Sequence, residues 1–206
     1  PALVADAIVV RRGGLRILDG ASLRCGPGLF HLTGANASGK STLLRALAGV
    51  LPVARGHVRV AGHDLARAPV LARRALGYMP ETADLFPYLR CDELLETVAS
   101  LRGATRADAL APLEPLEIGA LARARVGTLS FGQRRKLALA AALCGRPRVL
   151  LLDEPESGLD SHSLAYLEGH LQELVRAGRT IVVASHRARP GASATLRVEG
   201  GRVRAL

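Results

Sequence analysis

The chain has 206 residues, 49% of them hydrophobic and 3% aromatic, with a formal charge of +10 at neutral pH. That is enough apolar material for one sizeable core or two small lobes sharing one, while the scarce aromatics argue against a base-stacking nucleic-acid surface. The arginines are scattered (Arg11, Arg12, Arg73, Arg74, Arg134, Arg135, Arg204) rather than gathered in a groove. No nucleic-acid partner is expected from such a distribution. Three cysteines, Cys25, Cys91 and Cys144, lack metal-ligand spacing and read as reduced, buried thiols of a cytosolic protein. No apolar run approaches the ~18 residues of a membrane span and no signal peptide is recognised. If the protein acts at a membrane, another chain must supply the span.

In chain order, residues 3–10 and 21–24 suggest short strands around the turn Arg12-Gly13-Gly14. After the break Pro27-Gly28, residues 29–33 form an apolar run that suits a buried strand. The stretch Gly34-Ala35-Asn36-Ala37-Ser38-Gly39-Lys40-Ser41-Thr42 then fits G-x-x-x-x-G-K-[ST] at every fixed position. Leu43, Leu44, Leu47 and Leu51 follow at helical spacing until Pro52. Strand, glycine turn and helix N-terminus together make an anion site, because free backbone N–H groups and the positive helix end converge there. Gly34 and Gly39 allow close approach of the main chain, with Asn36, Ala37, Ser38 and Thr42 completing the loop. Lys40 would reach the β- and γ-phosphates and the Ser41 hydroxyl would ligate magnesium. A glycine turn that merely happens to precede Lys-Ser is the bland alternative, and the flanking strand and helix weigh against it.

Residues 57–61, between Gly56 and Gly62, and 76–80 predict two more strands, the first belonging to a small β-rich region beside the nucleotide. From Glu81 the character changes. Asp92 is expected to cap a helix through about Arg102, and Pro112 and Pro115 break residues 105–125 into short helical pieces. Residues from about 82 to 145 therefore read as an α-helical subdomain within a single 206-residue domain. Ser130 and Gln133 have the S-x-x-Q spacing of a capping box at the start of a long helix, which is also an anion-friendly terminus.

Val149 to Leu152 is a continuous apolar run typical of a central parallel strand, and it delivers Asp153-Glu154 at its end. In a parallel sheet that edge also carries the phosphate loop. Asp153 would hold magnesium and Glu154 would orient and polarise the attacking water. Asp160 or Ser161 opens a helix stopped by Gly178. Residues 180–184 form the next strand and bring Ser185-His186 to the same edge, where His186 could bond the γ-phosphate. Residues 195–206 read as a hairpin turning at Gly200-Gly201. The alternation predicts an α/β fold, a P-loop core with a small antiparallel β subdomain and an α-helical insert.

Taken together, these residues resemble the nucleotide-binding domain of an ATP-binding cassette (ABC) protein, from about residue 4 to the C-terminus. Gly34–Thr42 resembles the Walker A loop, and Leu129-Ser130-Phe131-Gly132-Gln133 the signature LSGGQ with Phe131 in place of its first glycine. Leu150 to Pro155 resembles Walker B with the catalytic glutamate, Ser157-Gly158-Leu159-Asp160 the D-loop, and His186 the switch histidine. The resemblance implies ATP and Mg2+ as ligands, with Lys40, Glu154 and His186 catalytic. It also implies two domains head to tail, as a homodimer or a paralogous heterodimer. Ser130, Gly132, Gln133 and Asp160 would then close over the partner's nucleotide. The expected partner is a transmembrane permease subunit on a separate chain, with this chain peripheral on the cytoplasmic face of the membrane.

Two positions depart from the family pattern. Arg12 stands where an aromatic ring usually stacks on adenine, a role a planar guanidinium can take. Gly77-Tyr78-Met79-Pro80-Glu81 resembles the Q-loop with Glu81 for glutamine, near the metal. Similar domains of drug, polysaccharide and cytochrome-maturation haem exporters often carry glutamate here, which tilts the expectation towards export. A soluble ABC ATPase of DNA repair or translation is the alternative. Residues 43–128 leave no room for the long coiled coil of the repair members, and translation factors usually join two cassettes.

Overall fold

The computed structural model describes residues 1–82, 84–189 and 191–206. Strands β1 (Leu3–Arg12) and β2 (Leu15–Cys25) form an antiparallel hairpin over Gly13-Gly14. Strand β3 (Gly28–Thr33) leads through the glycine loop to helix α1 (Lys40–Leu47). Strands β4 (Arg55–Val60) and β5 (His63–Asp64) precede helix α2 (Pro69–Arg74) and strand β6 (Leu76–Met79). An insert follows, containing α3 (Cys91–Arg102), α4 (Arg106–Leu110) and α5 (Phe131–Leu143), with two short 3-10 turns before α5. Strand β7 (Val149–Asp153), helix α6 (Ser161–Arg176), strand β8 (Thr180–Ala184) and the hairpin β9 (Ala194–Glu199)–β10 (Arg202–Ala205) complete the chain.

The strands form two sheets. One is antiparallel in the order β2-β1-β4-β5; the other runs β10-β9-β3-β8-β7-β6. In the second, β6, β7, β8, β3 and β9 are mutually parallel and only β10 is antiparallel. Its central strands show the period-2 logic of a sheet buried on both faces. Leu150, Leu152, Ile181 and Val183 join a core with α3, α5 and α6. Val149, Leu151, Val182 and Ala184 point the other way, into a core shared with α1 and the antiparallel sheet. Gly77 lets α5 press directly on β6: a Cβ there would stand 2.2 Å from the Ala142 carbonyl oxygen.

Two local expectations needed correction. Asp92 is not the residue that begins α3; it lies in the first turn, where its carboxylate accepts from the Glu93 N–H at 2.9 Å and pairs with the Arg90 guanidinium. The Glu93 carboxylate in turn accepts from the Arg90 N–H at 2.8 Å. The short helix α2 was not anticipated. By contrast, Asp160 does cap α6, accepting from the Ser163 N–H at 2.8 Å. All three cysteines are free and buried.

Candidate active site

The register of the parallel sheet builds the site. Leu32 of β3 pairs with Ala184 of β8, which also pairs with Asp153 of β7. Three strands therefore end in one row, and the segments leaving them (34–39, 154–157 and 185–187) lie side by side. Between them is a cavity of about 470 Å³. The loop contributes Asn36, Ala37, Lys40 and Ser41 to it, and the strand ends contribute Asp153, Glu154, Ser157 and His186. Glu81 reaches it from the segment after β6. A larger cavity of about 860 Å³ beneath α6, walled by Leu29, Leu164 and Leu171, holds none of the expected site residues. Size does not identify the site; the convergence of charged groups does.

The loop is held open by its glycines. Gly34 has φ 150°, and a Cβ there would lie 2.6 Å from the Val198 carbonyl oxygen, so no other residue fits. Lys40, almost fully buried, donates to the Gly34 and Ala35 carbonyls at 2.8 and 3.2 Å. Its ammonium is thus satisfied by the loop it would serve. The buried Ser38 hydroxyl has no partner. Thr42 follows on α1, partly buried.

Asp153 is 1% exposed and its Oδ2 has no hydrogen-bond partner. Burial raises its carboxyl pKa, and the charge of Glu81 adds to this, against the pull of the Ser41 hydroxyl, Arg45 and Lys40. An orphaned buried carboxylate oxygen beside a serine hydroxyl fits a small divalent cation completed by phosphate oxygens. Among the described residues no three His, Cys, Asp or Glu side chains form an all-protein metal cluster. The donor set here is one carboxylate, one hydroxyl and, from further out, Glu81.

Glu154 sits at φ 46°, a left-handed conformation uncommon for a side-chain-bearing residue. Its N–H donates to the Ala184 carbonyl at 2.8 Å, which pins it to the end of β8. Its Oε1 lies 3.6 Å from His186 Nε2 and has no other partner. Burial raises its pKa while His186 opposes that shift.

The remaining expected residues lie elsewhere. Arg12 is exposed at the end of β1. Its hairpin leans on the loop, since a Cβ at Gly39 would lie 3.3 and 3.5 Å from the Leu18 and Ile17 side chains of β2. Ser130, Gly132 and Gln133 start α5 outside the cavity. The Ser130 hydroxyl accepts from the Gln133 N–H at 3.2 Å, and Gln133 Oε1 accepts from the Ser130 N–H at 2.9 Å, so the capping box is real. Asp160 pairs with Lys136 of α5 at 2.6 Å, which holds its carboxyl far below the usual range.

Sequence reasoning missed the groups that brace this site. Arg135, buried in α5, donates to carbonyls on both sides of the cavity. Glu156 accepts from the Ser185 hydroxyl at 3.0 Å and pairs with Arg189, which also pairs with Glu168 at 2.9 Å. The available signal was a charge on a buried helical face: Arg135 shares its stripe with Ala138, Leu139 and Ala142.

The model of the ABC transporter family matches residues 18–157. The chain is 42% identical over 194 residues to the cytochrome c biogenesis ATP-binding export protein CcmA of Bordetella parapertussis, covering 90% of this chain and 83% of that protein. It is 34% identical over 190 residues to the Nod factor export ATP-binding protein I of Paraburkholderia xenovorans, covering 90% of this chain and 62% of the relative. A third relative, ATP-binding cassette sub-family A member 7 of Rattus norvegicus, is 39% identical over 161 residues. That match takes in 76% of this chain but only 7% of the rat protein, so the chain spans a small fraction of such large relatives. Among solved structures, an ATP-binding subunit of an ABC transporter superposes with a TM-score of 0.91 at 23% identity, covering 100% of this chain and 90% of that one. A dimeric ATP-binding cassette in a post-hydrolysis state, bound to ADP and Pi, gives 0.86, also at 23% identity, over 99% and 97%. Those two likenesses speak to the fold, and the sequence matches speak to the lineage: the chain belongs to the ABC transporter family.

Proposed function

We propose that this chain binds Mg-ATP and hydrolyses it as the energising subunit of an ABC exporter whose membrane-spanning part is a separate chain. The observation that carries the reading is the convergence of Lys40, Ser41, Asp153, Glu154 and His186 in one cavity at the carboxyl edge of parallel strands. The backbone N–H groups of residues 36–42 would cradle the phosphates, and Lys40 would exchange its two loop carbonyls for β- and γ-phosphate oxygens. Ser41 and Asp153 would hold magnesium, with Glu81 at its outer side. Bound there, the ion supplies positive charge against the β- and γ-phosphate oxygens.

Glu154 takes a proton from water as the water oxygen bonds to the γ-phosphorus and the bond to the β–γ bridging oxygen breaks, leaving ADP and phosphate. Burial favours this role, because a raised pKa makes the carboxylate a stronger base. His186 would orient that carboxylate and donate to the γ-phosphate. Arg12 would lie over adenine, since its hairpin rests on the phosphate loop. Ser130, Gly132, Gln133 and Asp160 would serve the nucleotide of a second cassette.

Export is supported by Glu81 and by relatives named as export proteins. No described helix is long and apolar enough to cross a membrane; a separate membrane-spanning chain is supported by the match over 83% of a relative named as an ATP-binding export protein. Just beyond Glu81, Phe86 and Tyr88 are 58% and 66% exposed with ring centroids 5.9 Å apart. Such a ring pair suits a docking face for that partner. Purified chain should hydrolyse ATP only with magnesium, and Lys40→Ala and Glu154→Gln should lose turnover without losing thermal stability. Affinity capture from detergent-solubilised membranes should recover a polytopic protein. Recovery of ribosomes or DNA in its place overturns the transport reading.

A further inference from the structure

Arg135 is 2% exposed, yet it faces no carboxylate at salt-bridge distance among the described residues. Its guanidinium is satisfied by main-chain carbonyls alone. Nε donates to Ser157 O at 3.1 Å, Nη1 to Pro80 O at 2.9 Å and also to Glu81 O, and Nη2 to Glu154 O at 2.7 Å. Four bonds from a rigid, planar donor thus tie together two segments that lie outside any helix or strand, residues 80–81 and 154–157. One carries Glu81, and the other begins with Glu154 itself and leads towards Asp160.

The bond to Glu154 has a specific mechanical meaning. A left-handed conformation at a residue with a side chain persists only where its surroundings impose it. At Glu154 both neighbouring peptide groups are restrained: its N–H by the Ala184 carbonyl at 2.8 Å, and its C=O by Arg135 at 2.7 Å and by the Ser157 N–H of its own turn at 3.2 Å. The first anchor belongs to the parallel sheet, and the shorter of the other two to α5. Displacing α5 would therefore loosen one side of this residue and the Glu81 segment together.

We propose that Arg135 is a positioning residue for hydrolysis, holding the Glu154 backbone and the Glu81 segment in the geometry needed for water attack. It makes that geometry depend on how α5 is seated. This rests on the reading of Glu154 as the group that accepts the proton from water. Arg135 itself does not line the cavity, so it should act on turnover rather than on nucleotide affinity. A lysine retains the charge but offers one nitrogen, which cannot reach all four carbonyls of the two segments.

The test compares wild type, Arg135→Ala, Arg135→Lys and Glu154→Gln for kcat, ATP affinity and thermal unfolding, with guanidinium added at concentrations far below denaturing. Arg135→Ala should lower kcat by about 10- to 100-fold, the scale of a misplaced reacting group, with ATP affinity changed by less than about threefold. Added guanidinium should restore a measurable part of the lost turnover in Arg135→Ala and none in Glu154→Gln. Combined with Glu154→Gln, Arg135→Ala should cost little further, because both act on one group. If Arg135→Ala fails to fold, Arg135→Lys carries the test through the same split between kcat and affinity. Unchanged kcat in the variants, or kcat, affinity and stability falling together without rescue, overturns the proposal and leaves the ATPase reading standing. Full activity in Glu154→Gln overturns the assignment of Glu154 and this proposal with it.

Discussion

Asp153 combines near-complete burial, an oxygen without a partner and a raised pKa. For an acid whose folded-state pKa is raised, the unfolded chain ionises first as pH rises. The native state then binds more protons than the unfolded one, so stability falls as pH climbs from the unfolded pKa to the raised folded one. Asp153→Asn removes the ionisable group and should raise the melting temperature at neutral pH, with the gain fading in acid where the carboxyl is protonated in both states. Calorimetric scans across pH read this directly; an asparagine variant less stable at neutral pH would contradict it. The same substitution should weaken magnesium-dependent binding of ATP, which is the sign of a site built for a ligand rather than for stability. Arg12 poses a smaller question. A cation over a π-face is worth about 0.5–2 kcal/mol, so Arg12→Ala should weaken ATP binding by no more than about thirtyfold. Arg12→Tyr should retain or improve it, and equal affinity in all three proteins by titration calorimetry would mean that Arg12 does not meet the base.

At the scale of elements, the start of α5 has two readings that one substitution separates. Its capping box satisfies otherwise free N–H groups, so Ser130→Ala should cost about 1 kcal/mol in denaturant unfolding, within a usual range of about 0.5–2. Ser130→Thr should restore that loss. If the serine also serves a nucleotide, ATP hydrolysis at high protein concentration should fall in Ser130→Ala by more than the small unfolded fraction explains. The parts of this architecture that could be read from the chain are those written locally. The phosphate loop, the apolar run ending in Asp153-Glu154 and the strand ending before His186 each carry their signal within about ten residues. Strand period and the parallel-edge rule were enough to bring them to one cavity. What could not be read depends on packing. Helix α5 is buried on nearly all sides, so its sequence offers no polar stripe to reveal which face meets the site. Arg135 matters only because four carbonyls from two distant segments meet it. Helix α2 begins after Ala68, with no side chain to cap it, and is too short for a periodic pattern. Arg90, rather than Asp92, precedes α3 because the Glu93 carboxylate reaches back to its N–H.

For the molecule as a whole, the start of α5 stands apart from the cavity. Lys40, Ser41, Asp153 and Glu154 come from the loop and the strand ends, whereas Ser130 and Gly132 begin a different helix and do not line it. The neighbouring Phe131 is 61% exposed, its ring resting against Gly158, where a Cβ would lie 2.7 Å from it. A second cassette presenting Ser130 and Gly132 to the γ-phosphate would complete the shell and exclude water, and a homodimer suffices because one chain carries both halves. If the carboxylate polarises water rather than holding the nucleotide, Glu154→Gln should bind Mg-ATP almost as wild type does. Closure driven by the γ-phosphate would then have no exit by hydrolysis, and the dimer should persist. Light scattering after size exclusion should report a dimer of Glu154→Gln with Mg-ATP and a monomer with Mg-ADP. Lys40→Ala in the same background should abolish the dimer if Lys40 is the group that reads the γ-phosphate. Wild-type turnover should rise faster than linearly with protein concentration until dimerisation saturates. Activity strictly first order in protein down to the lowest measurable concentration, with a monomer throughout, would mean that one chain builds the whole site, and the composite mechanism would be wrong.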